Sequence, residues 1–430
     1  MNAEVKKKNL AGRILSILGI VSLFVFVILT ISVEGTNEGL FLVAGFVLLA
    51  VAVRRFTVLK GFSYSLWIFA SVALAMYYPQ HFLGMGDFKF SQLIVPLLQI
   101  IMFGMGSQMS LHDFSGVLKM PKAVIAGLVC QFTIMPIMGL MVVTVFNFPP
   151  EIAAGFILVG ASPSGMASNV MSFLAKANLA LSVTLTAFAT LLSPLATPLL
   201  MKIFAEELVV IEFWNMVLGI FNMVILPICA GLIFNLFFKK QAGAKRTAVE
   251  FSSYVLIILL EGCLNYVFNG TSIQVLGVSL LQNLLFFCVL PIFAASLTRR
   301  FTDDSSRSFE KALSFISMLG IAIIIIVITA SGRDSLLEVG LWLVAACMCQ
   351  NLFGYLLGYF AAKALKLSEK DCRTIALEVG MQNGGLASGL AFQMGKVATV
   401  GLAPAIFGPL MNITGSSLAI WWRGKQPGAE

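Results

Sequence analysis

The sequence predicts an all-α integral membrane protein of about 14 transmembrane helices, arranged as two inverted repeats of seven helices each. Three observations lead to this fold class: a lipid-compatible composition, apolar stretches of membrane-spanning length, and internal repeats that match across the two halves. Of the 430 residues, 59% are hydrophobic and only 11% are charged, against about 25% charged residues in a soluble domain. This composition excludes a soluble enzyme and a nucleic-acid-binding protein.

Fourteen apolar stretches are long enough to cross a bilayer, which takes about 20 residues of helix. They are residues 12–33, 38–56, 62–80, 90–109, 121–146, 151–175, 179–203, 212–238, 249–268, 273–298, 309–331, 338–364, 374–394 and 398–421. The first stretch follows three lysines and resembles a signal peptide. It is too long for one and lacks a clear small-residue cleavage site, so we expect it to be retained.

The distribution of Lys and Arg orients these spans. With the N-terminus on the cytoplasmic side, the 28 Lys and Arg residues fall in inner connections, with four exceptions: Lys89, Lys202, Arg333 and Lys396. Positive residues gather in cytoplasmic connections. We therefore expect a multi-pass protein of the plasma (inner) membrane with both termini cytoplasmic.

The middle of the chain aligns with itself when Leu226-Pro227 is placed on Leu290-Pro291, and the same shift places Ser253 on Ser317. This hairpin alignment indicates a tandem copy of one helix hairpin. The alternative is chance similarity between two apolar segments.

The two halves of the chain also align with each other. The run SGMAS from Ser164 falls on GGLAS from Gly384, and the same shift places Gln131 on Asn351. In this half-chain alignment each half holds seven helices, so the second half begins on the opposite side of the membrane and the repeats are inverted. Inverted repeats with interrupted helices at matching positions are typical of secondary transporters.

Two spans carry helix-breaking residues at their centres, GASPSG from Gly160 and GMQNGG from Gly380. Proline removes an amide donor and glycine permits unwound backbone. Unwound carbonyls suit Na⁺, and the N-termini of half-helices suit anions. The alternative is a pair of packing kinks, which the matching positions of the two breaks disfavour.

Glu378 lies in an apolar stretch, two residues before the second break. A carboxylate inside a membrane is costly unless it is paired. The Lys and Arg residues that fall within predicted spans lie at the ends of those spans and none lies in the interior, so a bound cation is the expected partner. The alternative is a protonated structural Glu.

These segments resemble the bile acid:sodium symporter family. The resemblance rests on SPSGMASNVMSFLAKANLALSVTLTAFATLLSPLATP from Ser162 and on ALEVGMQNGGLA from Ala376. It extends through PKAV at 121–124, the Gln-Phe pair at 131–132 and the run NLFGYLLGY at 351–359. It implies a core domain with two broken, crossing helices and a smaller panel domain, usually with ten spans in total.

The resemblance also implies two sodium sites. The first would use the side chains of Ser168, Asn169, Ser182, Thr186 and Glu378. The second would use the side chains of Gln131, Glu378 and Gln382 and the carbonyls of Val379 and Met381. Several oxygen ligands suit a hard cation, and residues 182 and 186 share one helix face. For these two hydroxyls alone, a helix-packing face is the alternative.

The charge of such a site favours a monoanionic substrate, because two Na⁺ and one ionised Glu378 leave one positive charge. The family pattern implies substrate contacts at Asn383 and Asn412. Met166 stands where the family often has Thr, and Met411 where it often has His before the Asn. Both departures make the expected substrate cavity less polar.

The domain expectation follows from the same alignment. We expect panel helices in residues 1–110 and 206–335, and core helices in residues 111–205 and 336–430. Relative to ten spans, the N-terminal hairpin and the duplicated hairpin enlarge the panel and offer a surface for a homo-oligomer. Glu261 lies in one hairpin copy, with Ile325 at its position in the other. It faces either a cavity or the outer interface, and the lack of a visible partner favours the interface.

The sequence thus predicts sodium-coupled uptake of a small organic anion by alternating access. Its partners would be the anion, sodium ions and the lipid bilayer, with no nucleic acid. A proton-coupled organic-anion transporter or exchanger that uses Glu378 is the alternative. An integral-membrane enzyme is a remote alternative, because the one Asp-Asp pair, Asp303-Asp304, has no second carboxylate pair.

Overall fold

The computed structural model describes residues 3–32, 38–56, 62–109, 119–239, 244–269, 273–301 and 306–425. Within these ranges the chain is helical apart from turns, short connections and a small hairpin of strands β1 (Gly84–Met85) and β2 (Phe88–Lys89). The first-half helices are α1 (Ala3–Ser32), α2 (Glu38–Val53), α3 (Ser63–Tyr77), α4 (Gln80–Leu83), α5 (Ile94–Gln108), α6 (Pro121–Phe146), α7 (Pro150–Ala161), α8 (Ala167–Leu174) and α9 (Leu179–Ala205). The second-half helices are α10 (Phe213–Ile220, Phe221–Ile225 and Leu226–Lys239), α11 (Ala244–Asn269), α12 (Ile273–Leu284, Leu285–Val289 and Leu290–Phe301), α13 (Ser306–Ser331), α14 (Arg333–Ala364), α15 (Glu369–Gly380), α16 (Gly384–Gln393) and α17 (Leu402–Arg423).

The helices follow the apolar stretches of the sequence, and each of the fourteen stretches overlaps at least one of them. In the described part of the chain, eight helices are long and apolar enough to cross a membrane, and four further apolar helices are shorter. The prediction of an all-helical protein with many membrane-spanning segments is therefore confirmed.

One group of helices packs side by side in a continuous series. It begins with α1 against α2 and α2 against α3, and α13 then packs between α3 and α5. On the other side of α5 lies α10, which packs against α12, and α11 contacts both α10 and α12. Helix α1 carries large apolar side chains such as Ile17 and Phe24 that are more than half exposed, as expected for a face toward lipid.

A second group surrounds two short helices at the centre of the molecule. Residues 152–161 of α7 and residues 372–380 of α15 are buried without exception. Helices α6, α9 and α17 pack around α7, and α6, α9 and α14 pack around α15. The two predicted break points lie at the ends of these two central helices.

Helices α10 and α12 share an irregularity that supports duplication of the hairpin. Each contains a π-helical turn, at Phe221–Ile225 and at Leu285–Val289, and the hairpin alignment places these two turns on each other. Each turn directly precedes a Leu-Pro pair. Because the proline lacks an amide donor for the carbonyl four residues earlier, the helix accommodates it with a locally wider turn.

Two predictions about charged residues were wrong. Arg373 was expected in an inner connection, but it lies in α15 and is only 3% exposed. Helix α15 begins earlier than predicted because the Ser368 hydroxyl caps it by accepting from the Asp371 amide. The buried guanidinium pairs with Glu369 at 2.8 Å. It also donates to the carbonyls of Ala175, Trp422 and Lys425.

Glu261 was expected at an outer interface, but it is only 2% exposed. It lies on α11 and accepts a 2.9 Å hydrogen bond from the Asn283 amide of α12. The expectation failed because the Asn283 amide belongs to a neighbouring helix whose packing the sequence did not reveal.

Candidate functional site

Both central helices are interrupted where the sequence predicted breaks. Helix α7 gives way to an extended segment before α8, and α15 gives way to an extended segment before α16. Pro163 in the first segment has no amide donor and cannot make a helical hydrogen bond at its position, which favours a break there. In the second segment, Asn383 caps α16 by accepting from the Leu386 amide at 3.0 Å.

The two extended segments cross each other at the centre of the bundle. Ser164 and Gln382 form an isolated antiparallel bridge. Its neighbouring hydrogen bonds run from the Gly165 amide to the Met381 carbonyl (3.0 Å) and from the Asn383 amide to the Pro163 carbonyl (2.8 Å). The backbone groups that the breaks release therefore satisfy one another, as unwound backbone at membrane depth requires.

Glu378 lies beside this crossing and is 2% exposed. Its Oε1 accepts from the hydroxyls of Ser168 (2.7 Å) and Ser182 (2.5 Å), and its Oε2 accepts from Thr186 (2.9 Å). Asn169 Oδ1 lies 2.8 Å from the Ser182 hydroxyl and 3.2 Å from the Thr186 hydroxyl. The structure thus brings together all five residues predicted for the first sodium site.

This cluster has more short oxygen–oxygen contacts than hydroxyl protons to fill them. The hydroxyls of Ser168, Ser182 and Thr186 make five contacts with the two Glu378 oxygens and Asn169 Oδ1, but they can donate only three protons. Within the described residues no cationic side chain contacts this carboxyl group. An oxygen-rich, proton-poor pocket of this kind suits a bound cation.

The residues predicted for the second sodium site form a separate, adjoining network. Gln131 donates its amide to the Ser162 carbonyl (3.1 Å) and to Gln382 Oε1 (2.8 Å), and Gln382 donates to the Val379 carbonyl (2.5 Å). Gln131 is 3% exposed, and its Oε1 has no hydrogen-bond partner in the described part of the chain. Glu378 instead directs its hydrogen bonds to the first cluster.

The two carbonyls predicted for this second site accept hydrogen bonds from different donors. The Met381 carbonyl already accepts from the Gly165 amide across the crossing, whereas the Val379 carbonyl accepts from Gln382. Each retains a second lone pair, because a carbonyl oxygen can accept twice. The Gln131 amide thus lies beside the Ser162 carbonyl and Gln382 Oε1, and Gln382 links it to the Val379 carbonyl.

The predicted substrate residues are more scattered. Asn383 is committed to capping α16, and Asn412 donates to the Gly408 carbonyl of its own helix. Met166 is 36% exposed at the start of α8, and Met411 is buried on α17. No hydrogen bond joins the side chains of these four residues within the described structure.

Sequence reasoning missed a polar group that supports the second break. Asn351 on α14 donates to the Gly380 carbonyl at 2.8 Å, and the Thr414 hydroxyl donates to Asn351 Oδ1 at 2.6 Å. Gln131 bonds the carbonyl of Ser162 at the first break in the same way. The half-chain alignment, which places Gln131 on Asn351, was the available signal for this role.

Packing at the two breaks also follows the half-chain alignment. A Cβ on Gly160 would overlap the Met135 carbonyl oxygen, and a Cβ on Gly380 would overlap the Tyr355 ring. The alignment places Gly160 on Gly380 and Met135 on Tyr355. The breaks thus depend on equivalent close approaches in the two halves.

The loops that follow the broken helices are tied in an equivalent way. After α8, the Asn178 amide donates to Asp371 at the start of α15 at 2.7 Å. After α16, Lys396 and Thr399 donate to Glu151 at the start of α7, both at 2.5 Å. Glu151 and Asp371 are equivalent in the half-chain alignment, so each broken helix is anchored by the loop that follows the other.

Comparison with known proteins finds a matching family model and related sequences. Residues 95–269 match the model of the Sodium Bile acid symporter family. The Bacillus subtilis (strain 168) protein named "Uncharacterized sodium-dependent transporter YocS" is 32% identical over 374 residues, which cover 87% of this chain and 94% of that protein. The Arabidopsis thaliana protein named "Probable sodium/metabolite cotransporter BASS1, chloroplastic" is 31% identical over 77% of this chain and 66% of its own length. A solved structure of the sodium proton antiporter MjNhaP1 from Methanocaldococcus jannaschii aligns with 91% of this chain at a TM-score of 0.48 and 13% identity.

Proposed function

The chain belongs to the sodium bile acid symporter family, and from this premise we propose that it takes up a small organic anion together with sodium by alternating access. The protein is a sodium-dependent transporter by family and not an enzyme. The observation that carries the proposal is the Glu378 carboxyl group, buried at the crossing among hydroxyl and amide oxygens from the other half of the chain.

Two sodium ions bind next to each other in this proposal. The first is held by the side chains of Ser168, Asn169, Ser182, Thr186 and Glu378. The second is held by the side chains of Gln131, Gln382 and Glu378 and by the carbonyls of Val379 and Met381. The shortage of protons in the first group and the unpartnered Gln131 Oε1 in the second support this assignment. Glu378 joins the two ions because a carboxylate can bridge ligands on its two oxygens.

The substrate is a small organic monoanion with an apolar body. Two Na⁺ and an ionised Glu378 leave a single positive charge, and the N-terminus of the ten-residue helix α16 adds a partial positive charge beside Asn383. Asn383 and Asn412 orient the carboxylate of the substrate. Met166 and Met411 contact its apolar part, because neither side chain offers a hydrogen bond to a hydroxyl or amine.

The architecture that fits this function has fourteen spans in two inverted seven-helix repeats. Two pairs of residues that are equivalent in the half-chain alignment support inverted repeats related about the crossing: Gly160 with Gly380, and Glu151 with Asp371. Residues 111–205 and 336–430 form the core, and residues 1–110 and 206–335 form the panel. The protein lies in the plasma (inner) membrane with cytoplasmic termini, and the exposed apolar faces of the added hairpins provide the surface for a homo-oligomer.

Transport into proteoliposomes tests this function. Small organic monoanions are first screened for sodium-dependent thermal stabilisation of the purified protein, and uptake of the best ligand is then measured with an inward sodium gradient at equal internal and external pH. We expect uptake that stops when choline replaces sodium. Uptake driven by a proton gradient in sodium-free buffer would instead establish the proton-coupled alternative.

A further inference from the structure

A second buried carboxyl group lies far along the chain from the crossing, in the hairpin of α11 and α12. Glu261 accepts from the amides of Asn283 (2.9 Å) and Asn265 (3.5 Å), and the side chain of Asn222 on α10 lies near it. It is 2% exposed. In the described part of the chain no Lys, Arg or His contacts this group.

The duplicated hairpin shows that the fold does not need this acid. In the hairpin alignment, Glu261 corresponds to Ile325 and Asn222 corresponds to Phe286. Ile325 is 4% exposed, so the equivalent position of the other copy packs well with an aliphatic side chain. A buried carboxylate is expensive in a membrane. Its presence in one copy alone points to a ligand rather than to a packing requirement.

The chemistry around Glu261 selects the class of ligand. Burial disfavours the ionised form of this carboxyl group, and the amide N–H groups that point at it offset that cost only in part. An ionised Glu261 therefore needs a counter-charge, which no described cationic side chain supplies. Asparagine side chains also carry carbonyl oxygens, which together with a carboxylate are ligands for hard cations. One carboxylate balances one positive charge, which matches a monovalent cation and not a divalent one.

We propose that Glu261, Asn222, Asn265 and Asn283 form a binding site for a monovalent alkali cation, with sodium as the expected ion, separate from the site at Glu378. This ion is additional to the two assigned to the crossing.

The proposed site is connected through α10 and α5 to α16, the helix that follows the second break. Asn222 lies in the π-helical turn of α10, and its carbonyl accepts from Gln99 on α5 at 3.1 Å. The adjacent residues Met223 and Leu98 both press on α16. A Cβ on Gly389 would lie 3.1 Å from Met223 Sδ and 2.6 Å from Leu98 Cδ2. Occupancy of the site therefore stabilises the turn that holds Met223 against the second broken helix.

Equilibrium binding of sodium-22 to the purified full-length protein tests the proposal. The variants are Glu261→Gln and Glu261→Ile, the second of which copies the residue that already packs in the duplicate hairpin. We expect each to bind one sodium ion fewer per chain than wild type, at unchanged pH. Asn235→Ala on α10, whose amide donates to the Met109 carbonyl at 2.8 Å, is the control and should keep the wild-type number.

The same measurement on Glu378→Gln separates this site from the crossing. We expect Glu378→Gln to retain one bound sodium ion, which the double variant Glu378→Gln/Glu261→Gln loses. Unchanged sodium binding in both folded Glu261 variants would overturn the proposal, as would complete loss in Glu378→Gln. A further outcome would also overturn the proposal: wild type releases a proton on unfolding, Glu261→Gln does not, and both bind the same number of sodium ions. Glu261 would then hold a proton in the folded protein.

Discussion

Ser182 donates a 2.5 Å hydrogen bond to Glu378, 196 positions further along the chain. The bond links unbroken helix α9 of the first half to broken helix α15 of the second. Both residues are almost fully buried, so the pair sits where water cannot screen the carboxylate. The hydroxyl face of α9 and the acid on α15 therefore form one polar unit.

Thr186→Val tests the hydroxyl face directly. The substitution keeps the side-chain shape but removes an oxygen 2.9 Å from Glu378. A hydrogen bond to a charged group contributes about 1.5–3 kcal/mol, so we expect a roughly 10- to 100-fold weaker apparent affinity for sodium, measured as the sodium concentration for half-maximal substrate uptake.

Thr184→Val is the matched control, because the Thr184 hydroxyl donates to the Ala180 carbonyl of its own helix. We expect it to lower stability and to leave the sodium concentration for half-maximal uptake close to the wild-type value, because loss of a neutral hydrogen bond within one helix acts mainly on folding. Equal losses in the two variants would remove the hydroxyl face of α9 from the sodium site.

Gln131→Leu tests the second proposed ion. It removes the buried Oε1 that has no hydrogen-bond partner in the described structure. We expect the sodium dependence of uptake to lose cooperativity, with the Hill coefficient falling from about two toward one, because one coupling ion no longer binds.

Gln350→Leu provides a close comparison for that variant. Gln350 is equally buried, donates to the Phe156 carbonyl at 3.0 Å, and also has an unpartnered Oε1 in the described residues. It should lower stability but preserve sodium cooperativity. If both variants kept the wild-type Hill coefficient, the second ion would not use Gln131.

The close approaches at the breaks predict a stability effect. In Gly380→Ala the added methyl group overlaps the Tyr355 ring, and overpacking of this kind costs about 1–3 kcal/mol. We expect a lower thermal unfolding temperature in detergent. Gly340→Ala on α14, where a Cβ meets no atom within 4 Å, should leave the unfolding temperature unchanged or raise it. Equal unfolding temperatures for the two variants would contradict the packing at the crossing.

The proposed stoichiometry predicts a dependence on voltage. Two Na⁺ with one monoanion carry one net positive charge inward per cycle, which gains about 2.3 kcal/mol from a 100 mV inside-negative potential. We expect the steady-state ratio of internal to external substrate to be roughly 50-fold higher at 100 mV, inside negative, than at zero potential. Potassium diffusion potentials set with valinomycin in proteoliposomes provide the measurement, and accumulation independent of voltage would require an electroneutral stoichiometry.

Local chemistry made the central features predictable. Pro163 and the glycines of both breaks favour the ends of the helices there, so the sequence located both breaks, and the family resemblance implied that the broken helices cross. The spacing of Ser182 and Thr186 identified one helix face, and the half-chain alignment related Gln131 to Asn351. These signals are short in range or repeat along the chain, and they do not depend on how distant helices pack.

Features that depend on packing between helices were not predictable. Asn265 lies one turn from Glu261 and was a visible partner, but Asn222 and Asn283 come from other helices. The Ser368 cap, in contrast, could have been recognised in the sequence. It would have set the start of α15 before Arg373. The carbonyls that bind its guanidinium belong to distant segments, so its burial could not be inferred.

Anomalous diffraction from crystals soaked in thallium(I), a monovalent cation that replaces sodium, tests the central claim most directly. The account predicts an anomalous peak bounded by oxygens of Ser168, Ser182, Thr186 and Glu378, and predicts that excess sodium removes it. A map with no peak there, in which the Glu378 carboxyl group is held by the three hydroxyls alone, would contradict the account.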